Sequence, residues 1–168
     1  MMKNGFENDI FFVIVALVLA FGIYQSLGTA LSTETPIVSV VSNSMKPTFQ
    51  RGDLVVVKGE EFNRIKEEDI IVYKSKNDQV NLYMPPIIHR VVNKSNSSLS
   101  TKGDNNKYQV KACIDSRLEI KSECGPGEET IDLEENVTAE QIRGKAIFIV
   151  PKLGYPKILL TDFLNAVL

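Results

Sequence analysis

The chain of 168 residues holds one histidine, His89, inside Pro85-Pro86-Ile87-Ile88-His89-Arg90-Val91-Val92. An imidazole titrates near neutrality, which makes it the commonest general base. On a strand it shares the face of Ile87 and Val91, because side chains alternate with a period of two. A lone strand histidine is as readily structural, so its meaning depends on a partner. Ser42-Asn43-Ser44-Met45-Lys46-Pro47-Thr48 offers one. A serine at the end of a β-branched strand, entering a Pro-restricted turn, has a fixed backbone, an exposed hydroxyl and N–H donors nearby for an oxyanion. Serine is also a common turn residue, and in isolation Ser44 reads that way. Paired with His89 it supports acyl transfer with no metal or organic cofactor. Lys46 is the alternative base, as in a Ser-Lys dyad. No zinc site is expected, since Cys113, Cys124 and the distant His89 lack the usual paired spacing.

Such side chains need a rigid frame, and the sequence after residue 35 spells short strands separated by turns. Ile37–Ser42, Leu54–Val57, Ile70–Tyr73, Ile87–Val92 and Ala146–Val150 are β-branched runs of strand length. Arg51-Gly52-Asp53, Lys58-Gly59-Glu60, Lys74–Asp78, Asn93–Ser98 and Gly103-Asp104-Asn105-Asn106 supply turn chemistry between them. The expected domain, residues 36–156, is small, mainly β and antiparallel. Residues 107–136 are polar and patternless, and read as an irregular insertion. Lys157–Leu168 predicts a short C-terminal helix with one apolar face. It is too short to span a bilayer, and either lies at the interface or packs on the domain.

Ahead of this domain, beyond a flank of residues 1–9, no charged residue occurs between Asp9 and Glu34. The segment 10–31, as a helix of about 22 residues, reaches roughly 33 Å and crosses a hydrocarbon core of about 30 Å. A cleaved secretory signal competes, with Gly28-Thr29-Ala30 as its small-x-small site, but the apolar run is long and the leading segment carries Lys3 against Glu7 and Asp9. The anchor is preferred. Lys3 before the span and no basic residue after it until Lys46 tilt the N-terminus toward the cytoplasm. A domain outside the cytosol makes a disulfide between Cys113 and Cys124 plausible. The sequons at Asn93, Asn96 and Asn136 are compatible with that side. A net charge of −2 argues against non-specific nucleic-acid binding, and 24% charged with 43% hydrophobic residues excludes a disordered polymer and a multi-span membrane protein.

The motifs Ser42-x-Ser44-Met45-x-Pro47-Thr48, Gly52-Asp53-Leu54-Val55, Ile88-His89-Arg90-Val91-Val92, Thr101-Lys102-Gly103-Asp104-Asn105-Asn106, and Gly144-Lys145-Ala146 with Pro151-Lys152-Leu153-Gly154-Tyr155 occur in this order. Together they resemble the type I signal peptidases, from the anchor to Tyr155. The likeness is to the archaeal and endoplasmic-reticulum enzymes, because His89 stands where the bacterial ones carry lysine. The resemblance implies a single-pass serine endopeptidase of the cell or endoplasmic-reticulum membrane, with its catalytic domain on the outer or lumenal face. It would remove signal peptides from preproteins near the translocon, alone or with accessory subunits. It implies Ser44 as nucleophile, His89 as base, and the Ser44 N–H with the Ser42 hydroxyl as oxyanion donors.

The resemblance also implies two aspartates. Asp104 matches the first, whereas Lys107-Tyr108-Gln109-Val110 occupies the place of the second. Asp132 is preferred to Asp115 as its substitute, one of the pair orienting His89 and the other positioning Ser44 or a strand. Asp53 and Arg90 read as structural. Val40, Val41, Ile71, Val72 and Met84 are candidate linings of shallow substrate pockets, each also readable as core. The alternatives are a protease of another membrane-bound precursor, or a tethered β-domain that binds partners without catalysis.

Overall fold

The computed structural model describes residues 3–114, 120–121 and 129–167. Its elements are α1 (Lys3–Ala30), β1 (Ile37–Ser39), β2 (Leu54–Lys58), β3 (Ile70–Tyr73), α2 (Asp78–Tyr83), β4 (Ile87–Lys94), β5 (Leu99–Lys102), β6 (Lys111–Ile114), β7 (Ile120–Lys121), β8 (Glu129–Asp132), β9 (Ile142–Val150) and α3 (Tyr155–Val167). Six strands form one antiparallel sheet in the order β1-β2-β9-β3-β4-β5. Its strands are the β-branched runs of the sequence, which fit a pleated, half-buried surface. β1 ends at Ser39 rather than Ser42, and β9 begins at Ile142, earlier than the run of large apolar residues.

Core side chains sit on both faces of this sheet. Val40, Met45, Phe49, Val55, Val57, Val72 and Ile88 form one cluster. Ile65, Ile71, Tyr73, Val91, Leu99 and Val137 form the other. Each fully buried aliphatic side chain contributes about 1.5–3 kcal/mol. Ile71 lies opposite His89 in the β3–β4 register, so the histidine projects from the second, well-packed face beside Val91. That face is the one the period of two assigns to it.

Residues 107–136 are not the irregular insertion that their polarity suggests. They contain a second antiparallel sheet in the order β7-β6-β8, with Lys111 opposite Asp132 and Cys113 opposite Thr130. In sequence these short strands mix charged, small and apolar residues with no run of large alternating ones, so periodicity does not mark them. The chain leaving β8 then runs beside β5. Thr101 N–H donates to the Glu134 carbonyl at 2.8 Å, and Leu99 and Val137 exchange backbone bonds of 2.8 and 2.9 Å.

α1 contains a 22-residue apolar stretch, Asp9–Ala30, long enough to cross a membrane and with no buried residue in it. Its exit is tied to the domain. Gly59 N–H donates to the Leu31 carbonyl at 2.8 Å, and the Thr33 hydroxyl donates to the Arg143 carbonyl at 2.7 Å. At the other end, α3 begins two residues earlier than the sequence suggests. It buries Ile158 while leaving Leu159, Leu160, Phe163 and Leu164 exposed.

Candidate active site

The loop that carries Ser44 is pinned at both ends before it presents anything. Val40 N–H donates to the Asp53 carbonyl and Gly52 N–H to the Val40 carbonyl, both at 2.9 Å, closing the loop's neck. Met45 and Phe49 are buried at 1% and 2% exposure, so the segment between is anchored by apolar plugs rather than left to drift. The Asp53 carboxylate accepts Gln50 N–H at 2.9 Å and Lys152 N–H at 3.1 Å, the structural role expected of it. Ser44 is fixed in addition by its carbonyl, which accepts Asn105 N–H at 2.7 Å.

From this platform Ser44 Oγ lies 2.9 Å from His89 Nε2. Ser42 Oγ lies 3.1 Å from Ser44 Oγ and within 3.5 Å of the Ser44 amide nitrogen. Geometry of this kind lets a neutral imidazole take the serine proton as the hydroxyl attacks. Lys46, the alternative base, is exposed at the rim of the loop.

Of the two aspartates, Asp104 lies where the positioning role was expected and does not reach His89, whereas Asp132 needs correction. Asp104 spends its two oxygens on Arg90, with Nε and Nη2 each at 2.8 Å, and on the Thr48 hydroxyl at 2.5 Å. A guanidinium fork matches a carboxylate's two oxygens, so this bidentate pair outcompetes the imidazole. Hydrogen bonding from Arg90 holds the Asp104 carboxyl below the usual carboxylate range. Arg90 thus ties β4 to the loop that carries Ser44. Asp132 is 44% exposed and pairs with Lys111 at 2.9 Å across β6 and β8. It is a surface ion pair, remote in role from the imidazole. Asp115 and Cys124 lie outside the described residues, as does the side chain of Cys113, and with them the disulfide.

The carboxylate that meets His89 Nδ1 is Glu134, through Oε1. Its other oxygen accepts the Val110 N–H, and its side chain is 0% exposed against 7% for His89. Sequence reasoning missed it for a physical reason. Leu133 and Glu134 are both buried, at 2% and 1%, while Asp132 is exposed, so this segment does not alternate. The available signal was slight: Glu134 follows Leu133 and precedes Val137 by three residues, in a segment otherwise dominated by Asp132, Glu135 and Asn136.

An apolar groove of about 350 Å³ opens beside Ser44 and His89. Val40, Val41 and Met84 line it, together with Pro85, Pro86 and Ile88. Ile71 and Val72, proposed alongside them, are fully buried core instead, because β3 sits inside the sheet.

A membrane-spanning-length helix followed by an antiparallel β-domain in which Ser44 meets His89 is an architecture suited to a peptidase, and comparison with known proteins points to that class. Residues 23–123 match the family described as Peptidase S24-like. Ser44, His89 and Asp104 fall within that match, and Glu134 lies beyond it. A signal peptidase complex catalytic subunit SEC11 from Scheffersomyces stipitis is 37% identical over 150 residues, covering 85% of this chain and 76% of the relative. The SEC11 subunits of Pyricularia oryzae and Debaryomyces hansenii are 33% and 34% identical, covering 88% and 90% of this chain and 77% and 82% of theirs. The chain belongs to the S24-like peptidase family, and within it to the signal peptidases of the SEC11 kind.

Proposed function

We propose that this protein is a membrane-anchored serine endopeptidase that removes signal peptides from secreted and membrane preproteins, with Ser44 as nucleophile and His89 as general base. The observation that carries the reading is the 2.9 Å approach of Ser44 Oγ to His89 Nε2 at the side of the apolar groove. α1 anchors the domain as a single span, N-terminus toward the cytoplasm and catalytic domain on the outer or lumenal side. Its Gly28-Thr29-Ala30 stretch is helical and its exit is clamped to Gly59, which favours an anchor over a cleaved leader.

The substrate enters as an extended segment between residues 39–42 and 84–88, where backbone pairing tolerates sequence and the confined apolar groove admits small side chains. Sharing one bilayer surface with the signal peptide raises its effective concentration. His89 Nε2 takes the Ser44 proton as Oγ bonds to the scissile carbonyl carbon. The oxyanion faces the Ser44 N–H and the Ser42 hydroxyl. His89 then protonates the leaving amine, the C–N bond breaks, and an acyl-Ser44 remains. Water, deprotonated by His89, attacks the acyl carbon, and the proton returns to Ser44 as the signal peptide leaves with a new C-terminal carboxylate. Asp104 and Arg90 hold the loop against β4 throughout. The relatives are named as subunits of a complex, so accessory subunits are expected partners here as well.

The experiment is cleavage of a preprotein in detergent by the full chain and by Ser44→Ala, His89→Ala and His89→Lys, each checked for folding. Loss in both alanine variants with fold intact supports the dyad. Full activity in either removes it.

A further inference from the structure

We propose that Glu134, rather than Asp104 or Asp132, is the positioning residue of the catalytic base, holding His89 as the Nδ1–H tautomer with Nε2 free to accept from Ser44. The proposal rests on the Ser44–His89 reading above and names the group that makes this dyad work.

Three observations carry it. His89 Nδ1 meets Glu134 Oε1 while the opposite ring nitrogen meets Ser44 Oγ, so the imidazole bridges the two side chains. A carboxylate oxygen only accepts, so the proton on this side belongs to Nδ1 and the Nε2 lone pair is left for the serine. Secondly, Glu134 is fully buried, and burying a carboxylate is costly unless donors replace its water. The Val110 N–H is one such donor, and His89 Nδ1, set directly beside Oε1, stands where the second is needed.

Thirdly, the backbone beneath Glu134 is over-determined. Its carbonyl accepts Thr101 N–H at 2.8 Å and the Gln109 amide at 3.3 Å. The hydroxyl of Thr101 is itself 2.7 Å from Tyr73 Oη, and burial pushes the Tyr73 phenol upward, so that this support stays uncharged. The main chain that carries the Glu134 carboxylate is therefore held in place. Asp104 gives both oxygens to Arg90 and Thr48, and Asp132 is an exposed side chain paired with Lys111.

The test uses the full chain in detergent, labelled with ¹⁵N-histidine. Because His89 is the sole histidine, one imidazole gives the whole signal. The expected wild-type spectrum at mildly alkaline pH shows a protonated Nδ1 and an unprotonated Nε2. Glu134→Gln presents an amide N–H to Nδ1, moves the proton to Nε2, and lowers kcat about 10³- to 10⁴-fold with KM within about threefold. Glu134→Asp, shorter but still an acceptor, restores the wild-type tautomer and part of kcat. A purely structural role predicts parallel losses in all variants and no change of tautomer. An Nε2–H tautomer in the wild type, or wild-type kcat in a folded Glu134→Gln, overturns the proposal. Should the glutamine variant fail to fold, the wild-type tautomer decides alone. A wild type that cleaves no preprotein yet keeps Nδ1–H counts against the protease reading and not against the hold of Glu134 on His89.

Discussion

The carbonyl of Ser44 lies 2.7 Å from where a β-carbon on Gly103 would stand, and the same position is 2.8 Å from Asn106 Nδ2. The nucleophile loop and the Gly103–Asn106 turn are therefore packed backbone on backbone, with the Asn105 N–H bonded across the gap. Only glycine permits that approach. Gly103→Ala should displace Ser44 by a few tenths of an ångström or more, since the opposing atom is main chain and cannot rotate away. The expected result is a loss of about 1–3 kcal/mol in stability, from overpacking. A larger effect is expected on kcat, about 10²-fold, because reacting groups tolerate little misplacement. Thermal unfolding and preprotein cleavage of the same sample check both numbers.

The Arg90–Asp104 pair predicts a pH-dependent stability. Hydrogen bonding from Arg90 depresses the Asp104 carboxyl in the folded protein, so its folded value lies below its unfolded one. The pair's stabilisation is then fully present above the ordinary carboxylate range of about 4 and is lost as pH falls through the depressed value. Asp104→Asn should lower the unfolding midpoint at neutral pH. The gap to wild type should narrow steadily on acidification below about pH 4. A gap that stays constant with pH would show that the side chain stabilises through packing alone.

Much of this arrangement was legible beforehand, and the limits have physical causes. β2, β3 and β4 were readable because Leu54–Val57, Ile70–Tyr73 and Ile87–Val92 are β-branched runs buried by neighbours on either side. Ser44 and His89 were readable because each sits in an ordered set of motifs. β5, β6, β7 and β8 were not, as Leu99–Lys102 and Lys111–Ile114 carry polar residues whose partners lie across the fold rather than along the chain. The Arg90–Asp104 pair was not legible because the two residues stand 14 apart in the chain and meet only through the fold. Glu134 could not be chosen over Asp132 by periodicity, because the segment joins β8 to the edge of β5 and buries two successive residues.

Met84 predicts where specificity is set. It lines the groove beside Ser44 and packs against Val80 and Leu133, so it narrows the groove from a supported position. Met84→Ala should admit bulkier side chains near the scissile bond. A pocket methylene is worth about 1–3 kcal/mol, so kcat/KM for a leucine-bearing peptide should rise at least tenfold relative to the alanine-bearing one. Paired peptides differing at that one side chain measure the ratio. An unchanged ratio would place the size filter elsewhere in the groove.

The junction between α1 and the β-domain predicts a separation of two activities. A β-carbon on Gly59 would fall 1.9 Å from the Ser32 carbonyl oxygen, at the point where Gly59 N–H holds the Leu31 carbonyl. Gly59→Val must therefore push the helix exit away, while Thr33 and its bond to the Arg143 carbonyl remain as a weaker tether. Ser44 and His89 belong to other elements, so hydrolysis of a short soluble peptide should stay within about threefold of wild type. Cleavage of a membrane-inserted preprotein should fall further, about tenfold or more, because it depends on the height and tilt at which the domain meets the bilayer surface. Both rates are measured in the same liposome preparation. Equal losses for the two substrates would mean that the Gly59 contact stabilises the domain without orienting it.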